Sequence, residues 1–342
     1  MSTEVALSVR NLRVYYGTLR GTVRAVDSVS LDIAAGEVVG LVGESGCGKS
    51  TLGRGIMGLL PDGAQTDGEV LYGGMNLVGM SVKELRKLRG PGLGLIFQEP
   101  MTRLNPLMRI EDHFAETLKQ HESGLKDKEI RKRSLDTLGK MGIPPTRFRQ
   151  YPHEFSGGMR QRIMIALALV LHPRLLVADE PTTALDVIVE AQILAILADL
   201  KRNFDTALLL ITHNLGIIAE SCDRVAVMYA GQIVEEGPAI EVFAEPAHPY
   251  TRELLRSTIS LDTTELHSIA GAPPNLIEPP SGCRFHPRCP DVMQVCPRRD
   301  PREVRLADDR RVMCWLHGPD EQIPEGGTEK LDREAIAVAE EA

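Results

Sequence analysis

Gly43-Glu44-Ser45-Gly46-Cys47-Gly48-Lys49-Ser50 follows the apolar run Val38-Val39-Gly40-Leu41-Val42 and leads into Thr51-Leu52. The order strand, glycine-rich loop, helix is that of a phosphate-binding loop. The strand delivers the glycines, and a helix departing after Lys49 turns its free N–H groups and positive dipole end toward an anion. Gly43, Gly46 and Gly48 let backbone amides approach phosphate oxygens with no Cβ in the way. Lys49 is placed to reach the β- and γ-phosphates and the Ser50 hydroxyl to ligate Mg²⁺. Glu44, Ser45, Cys47 and Thr51 share the stretch and are expected to lie against the nucleotide, Cys47 as a tolerated side chain with no nucleophilic role.

Leu175-Leu176-Val177-Ala178-Asp179-Glu180 is a short apolar run ending in two carboxylates, the form of a buried parallel strand whose C-terminal end meets a ligand crevice. Beside a phosphate loop, Asp179 is expected to hold Mg²⁺ through water and Glu180 to orient or deprotonate the attacking water. Phosphoryl transfer asks mainly for positioning and charge stabilisation, and these residues meet that demand without a covalent nucleophile.

Ser156-Gly157-Gly158-Met159-Arg160-Gln161 is a second glycine-rich loop opening a helix, and it resembles the signature sequence of ABC-type ATPases. The resemblance implies that this loop, with Ser156, Gly157, Gly158 and Gln161, binds the γ-phosphate held by an opposite subunit, so that one chain supplies half of each of two sites. It further implies a glutamine at Gln98 that senses the γ-phosphate and Mg²⁺ and contacts the transporter. Asp186, in Ala184-Leu185-Asp186, would cross the dimer interface, and His213, after Leu208-Leu209-Leu210-Ile211-Thr212, would touch the γ-phosphate. Tyr16, in Val14-Tyr15-Tyr16-Gly17, would stack on adenine, with Tyr15 the poorer candidate. The fold implied is an α/β P-loop NTPase with a RecA-like core, an antiparallel β subdomain, a helical subdomain at about residues 101–172 and a small Cys-rich extension.

The chain has 342 residues, is 43% hydrophobic and carries a net charge of −8. The length exceeds one typical domain, and with one phosphate loop and one signature loop the chain reads as a half-site subunit with an appendage. Its longest apolar run, 163–171, is far short of a membrane span, and the N-terminus has no basic region followed by an apolar segment, so a soluble, non-secreted protein is expected. The acidic balance disfavours a generic nucleic-acid binder, and Arg131-Lys132-Arg133 reads as a solvated helix face. Domain boundaries are expected at 1–235 for the nucleotide-binding domain and 236–318 for the extension, with a disordered acidic tail over 319–342.

Four of the six cysteines, Cys283, Cys289, Cys296 and Cys314, form a C-x5-C-x6-C-x17-C pattern. In a reducing compartment such a cluster means a soft metal or an iron–sulfur centre more often than disulfides. From the residues alone a cluster, zinc and metal-free thiols all stay open; isolated Cys222 reads as a small buried hydrophobe. The extension resembles that of the peptide, opine and nickel importer ATPases, through Ala247-His248-Pro249-Tyr250-Thr251, Ala272-Pro273-Pro274-Asn275 and Pro279-Pro280-Ser281-Gly282-Cys283-Arg284-Phe285-His286-Pro287-Arg288-Cys289-Pro290. With the catalytic motifs, the likeness spans about residues 5–317. It implies a [4Fe–4S] cluster on the four cysteines, with Zn²⁺ as the alternative. It also implies an ATP-hydrolysing, energy-coupling subunit of a di- or oligopeptide importer at the cytoplasmic face of the cell membrane. The same role for nickel chelates, opines, glutathione or oligosaccharides is the alternative.

The implied partners are a second, different ATPase subunit, two transmembrane permeases and an extracytoplasmic solute-binding protein, with no nucleic acid. A non-transport ABC ATPase acting on DNA or ribosomes would carry coiled-coil arms or tandem domains, and a nucleotide-binding scaffold without turnover would not need Glu180 and His213. Glu99, Arg103, Phe155 and Asn214 depart from the usual family residues, and none of them removes a phosphate, Mg²⁺ or water ligand.

Overall fold

The structure is a computed structural model. It describes residues 4–97, 104–182, 206–257, 267–307, 309–319 and 326–331, together with 189, 190, 192, 193, 197 and 323. β1 (Val5–Thr18) and β2 (Gly21–Ala34) form a long antiparallel hairpin that buries Leu7, Val9, Leu12 and Val14, the period-two pattern of a sheet with one covered face. With β4 (Ala64–Tyr72) and β5 (Met75–Asn76) it makes a four-stranded sheet in the order β2-β1-β4-β5.

β3 (Val38–Val42), β7 (Leu175–Asp179) and β8 (Ala207–Ile211) are buried along their whole length, as strands covered on both faces must be. β3 lies between β8 and β9 (Arg224–Tyr229), parallel to both; β7 runs parallel to β8 and to β6 (Leu93–Ile96). Helix α1 (Lys49–Ile56) leaves the end of β3, and its Leu52 and Ile56 are fully buried in the core shared with β1, β2, β7 and β8. After α2 (Val82–Leu88), the helices α3 (Ile110–His121), α4 (Asp127–Lys140) and α5 (Gly157–Leu169) form a layer cored by Phe114, Leu118, Ile130, Leu138 and Ile163.

The basic triplet on α4 is more than a solvated face. Arg133 makes a forked pair with Glu122 (2.7 and 2.9 Å) and donates to the Val170 carbonyl at 2.8 Å, tying α4 to the ends of α3 and α5. Among the described residues no helix is long and apolar enough to cross a membrane.

β8 is followed by α6 (Leu215–Ser221) and then the hairpin of β9 with β10 (Gln232–Pro238). β10 runs through position 235, and its outer edge carries the extension: after α7 (Ala239–Ala244) and α8 (Pro249–Arg256), β11 (Val304–Arg305) and β12 (Arg311–Val312) join the main sheet, with β12 antiparallel to β10. The eight-stranded order is β11-β12-β10-β9-β3-β8-β7-β6. Residues 326–331, in the stretch expected to be disordered, are held by backbone bonds: Gln294 and Val295 donate to the Glu329 and Gly327 carbonyls, and Leu331 donates to Val292.

Two adjacent carboxylates on β10 secure this junction. Glu235 (0% exposed) accepts hydrogen bonds from the backbone N–H groups of Ala247 and His248, both at 2.8 Å, at the entrance to α8. Glu236 (2% exposed) pairs with Arg224 on β9 and with Arg311 on β12. Removing one member of a buried ionic group leaves its partners desolvated and uncompensated. Glu236→Ala is therefore expected to lower unfolding stability by about 3 kcal/mol, read as the urea midpoint; a loss under about 0.5 kcal/mol would show that the triad contributes nothing to the joint.

Candidate nucleotide site

The phosphate loop is wedged between two strands. At Gly43 (φ 151°) a Cβ would lie 2.1 Å from the Met228 carbonyl of β9, and at Gly48 (φ 110°) it would lie 2.0 Å from the Ala25 carbonyl of β2. Only glycine tolerates both the positive φ and that approach. Lys49 is buried and donates from Nζ to the carbonyls of Gly43 (2.7 Å) and Glu44 (3.0 Å), so its charge is held inside the curve of the loop. Cys47 is also buried, which pushes its thiol pKa up and keeps it neutral.

Ser50, in the first turn of α1, donates from its hydroxyl to Asp179 Oδ1 at 2.9 Å. Burial pushes the Asp179 carboxyl pKa up, against the Ser50 hydrogen bond and the charges of Arg54 and Lys49. A hydroxyl and a desolvated carboxylate side by side are hard oxygen donors suited to Mg²⁺. Glu180 takes up a left-handed backbone conformation (φ 46°), and its N–H donates to the Ile211 carbonyl at 2.9 Å. That strained turn sets its carboxylate 3.7 Å from His213 Nδ1, at the end of the neighbouring strand.

These groups lie at the carboxyl ends of β3, β7 and β8, where ligands bind in open parallel sheets. A cavity of about 420 Å³ opens there, lined by Ser45, Gly46 and residues 48–51 of the loop, by Glu180, and by Tyr16, Val23, Ala25 and Leu276. Tyr16 faces it, whereas the Tyr15 hydroxyl donates to Asp27 at 2.5 Å. Adjacent residues of a strand point to opposite faces, and that decides between the two tyrosines.

The second glycine loop stands apart from this cavity. Ser156 caps α5, its Oγ accepting from Met159 N at 3.4 Å, and Gly157 and Gly158 form the first turn. None of the three lines the cavity. Gln161 is buried and donates from its side-chain amide to the Pro181 carbonyl, linking α5 to the segment that carries Glu180. Gln98, Asp186 with Ala184 and Leu185, and the departures Glu99 and Arg103 lie outside the described residues. Asn214 caps α6, accepting from Ile217 N. Cys222 follows α6 with its thiol pKa pushed by burial to about 12, as a small hydrophobe would be.

Cys283, Cys289, Cys296 and Cys314 are all free thiols. Cys283 N donates to the Cys296 carbonyl at 2.8 Å, and burial pushes the thiols of Cys289 and Cys314 to about 12, with the neighbouring cysteines adding to the shift. Cys283, Cys289 and Cys296 border one apolar core cluster and Cys314 another. Among the described residues no group of three or more His, Cys, Asp or Glu side chains is placed to hold a metal ion, so neither the expected iron–sulfur cluster nor its zinc alternative finds support in this arrangement.

Four contacts with the site had no signal in the sequence. Tyr250, Leu276, Arg284 and Arg288, all from the extension, reach the loop or the strands that brace it. Arg288 and its partner Glu44 are 244 positions apart, and no local pattern connects them.

Residues 26–183 match the ABC transporter family, and residues 234–296 match the oligopeptide/dipeptide transporter C-terminal region. The chain is 49% identical over 319 residues to the dipeptide transport ATP-binding protein DppD of Bacillus subtilis strain 168, covering 92% of this chain and 95% of that one. It is 46% identical over 305 residues to the oligopeptide transport ATP-binding protein OppD of Salmonella typhimurium, covering 88% and 91%. Among solved structures, the ADP- and Pi-bound post-hydrolysis dimer of the ATP-binding cassette MJ0796 superposes with a TM-score of 0.61 at 27% identity, over 68% of this chain and 98% of that one. CbiO1 of Clostridium perfringens, part of the ABC transporter complex cbiONQ, gives 0.61 at 31% identity over 71% and 92%. The chain belongs to the ABC transporter family, among the dipeptide and oligopeptide transport ATP-binding proteins.

Proposed function

We propose that this chain is the ATP-hydrolysing subunit that powers uptake of di- or oligopeptides through a membrane ABC importer. The observation that carries the reading is one of position. A phosphate loop, a Ser50–Asp179 pair and a Glu180–His213 pair meet at the ends of three adjacent strands, in a chain whose C-terminal region matches that of peptide transporters.

In this reading Tyr16 stacks on the base and the loop amides of residues 43–51 surround the phosphates. Lys49 exchanges its two carbonyl acceptors for phosphate oxygens. Ser50 and Asp179, with Gln98, would hold Mg²⁺, which when bound offsets charge on the β- and γ-phosphate oxygens. Glu180 accepts a proton from water as the water oxygen bonds to the γ-phosphorus. The bond from that phosphorus to the β-bridging oxygen breaks, and ADP leaves with the electron pair. His213, 3.7 Å from Glu180, is placed to orient the carboxylate and the γ-phosphate.

Because Ser156, Gly157 and Gly158 lie away from the cavity of their own chain, they are assigned to the γ-phosphate of a second ATPase subunit, with Asp186 at the interface between the two. ATP closes that pair, and hydrolysis reopens it. The second ATPase is taken to be a different chain; both ATPases sit at the cytoplasmic face of the membrane, and two transmembrane permease subunits and an extracytoplasmic solute-binding protein complete the transporter. Cys283, Cys289, Cys296 and Cys314 are assigned to a [4Fe–4S] cluster. Four soft, free thiols support that choice, with Zn²⁺ as the alternative.

Glu180→Gln keeps the shape of the side chain and removes the base. Its ATP turnover is expected to fall on the order of 10²–10³-fold with ATP affinity nearly unchanged; unchanged turnover would remove Glu180 from this role. For the cysteines, chain purified without oxygen is expected to contain about four irons and four acid-labile sulfides, and to lose both in Cys289→Ala. Protein with neither iron nor sulfide would reject the cluster.

A further inference from the structure

The C-terminal extension grips the phosphate loop from behind. Glu44, the second residue of the loop, donates its backbone N–H to the Tyr250 hydroxyl at 2.9 Å. Its carboxylate accepts two hydrogen bonds from the Arg288 guanidinium, at 2.7 and 3.0 Å, in a forked pair. Neither partner is free to drift. Tyr250 is fully buried with its ring 4.5 Å from that of Tyr229 and 5.4 Å from Phe285. Arg288 is 5% exposed and also donates to the Ala270 carbonyl at 2.9 Å.

A second arm of the extension meets the other side of the site. The Leu276 carbonyl accepts from Arg24 N at 2.9 Å, which pins its segment to β2, and Leu276 lines the cavity together with Tyr16. An aliphatic group and an aromatic ring on one cavity suit a flat base better than a phosphate.

We propose that the extension completes the nucleotide site: Arg288 and Tyr250 are positioning residues that hold Glu44 and with it the curve of the phosphate loop, and Leu276 is a wall of the base pocket. The proposal rests on the reading that this cavity takes ATP. Lys49 hangs from the carbonyls of Gly43 and Glu44, so a loop released at Glu44 misplaces both the amides and the cation. Arg288 directly precedes Cys289, so the cysteine-bearing segment reaches the phosphate loop through one side chain.

The test uses the full chain and two probes, Mg-ATP and inorganic tripolyphosphate, with thermal unfolding recorded for each variant. Arg288→Met and Glu44→Gln are each expected to weaken both probes by about tenfold, and the double variant to be no weaker than the poorer single one, because both changes cut the same pair. Tyr250→Phe removes only a hydroxyl and is expected to weaken both probes by a smaller factor, which provides the answer if Arg288→Met fails to fold. Leu276→Ala is expected to weaken ATP by about threefold and leave tripolyphosphate unchanged, a split that general loosening would not produce. In kinetics Arg288→Met should raise KM far more than it lowers kcat. Wild-type binding of both probes by Arg288→Met and Tyr250→Phe would overturn the positioning role, and equal losses for both probes in Leu276→Ala would overturn the base wall. Lys49→Ala serves as the control: if it binds ATP like wild type, the cavity itself is misassigned, an outcome separate from failure of the extension variants.

Discussion

The close approach of the phosphate loop to two carbonyls is the constraint on which the rest depends. Gly43 lies against Met228 O of the parallel sheet, and Gly48 lies against Ala25 O of the antiparallel sheet. The loop takes its shape only where both sheets are in register with it, so the two layers are coupled at the point where the chain turns into α1. That turn in turn sets Lys49 inside the loop and Ser50 against Asp179. A larger side chain at either glycine would meet backbone, which has no rotamer to yield. Geometry of this kind costs little at the moment of reaction, because the groups are already oriented before the ligand arrives.

The extension obeys the same logic. It adds β12 and β11 to the edge of the sheet that carries the site, and charged groups with little access to water fasten it there: Glu235, Glu236, Arg284 and Arg288 are all buried and all paired or hydrogen-bonded. Arg284 pairs with Asp27 and donates to the Ala230 carbonyl, while Asp27 N donates to the Gly231 carbonyl and Gly231 N donates to Cys47 O at 2.8 Å. Burial alone would raise the Asp27 pKa, yet the hydrogen bonds from Tyr15 and Arg284 hold it below the usual carboxylate range. The β1–β2 hairpin, the loop and the extension thus share one polar network, whose members are costly to leave unpaired.

Much of the site was legible in the sequence because its signals are local. The glycines of the phosphate loop sit between a buried strand and a helix, and Asp179 and Glu180 close an apolar run; the structure brings all of them to one crevice. Where the pattern was read less well, the determinants were distant or hidden. Gln161 reads as part of a ligand loop, while its side chain is turned inward to Pro181 by the helix period. The boundary expected after residue 235 falls within β10, where buried Glu236 pairs with Arg224 and Arg311 from the strands on either side. The tail residues 326–331 have a composition that suggests disorder, and their backbone is ordered by pairing with 292–295, which composition does not register. The Arg288–Glu44 and Tyr250–Glu44 contacts belong to the same class of long-range pairing.

Hydrolysis in this crevice is proposed to drive peptide uptake. Its most direct test is transport of a radiolabelled dipeptide into proteoliposomes containing this chain with the proposed second ATPase and permeases, the proposed solute-binding protein being supplied on the side opposite the ATPases. The account predicts accumulation against a gradient with Mg-ATP and none with a non-hydrolysable analogue, and ATP turnover that rises when peptide-loaded binding protein is present. Uptake that proceeds equally well without hydrolysis, or turnover indifferent to the permeases and the loaded binding protein, would contradict it.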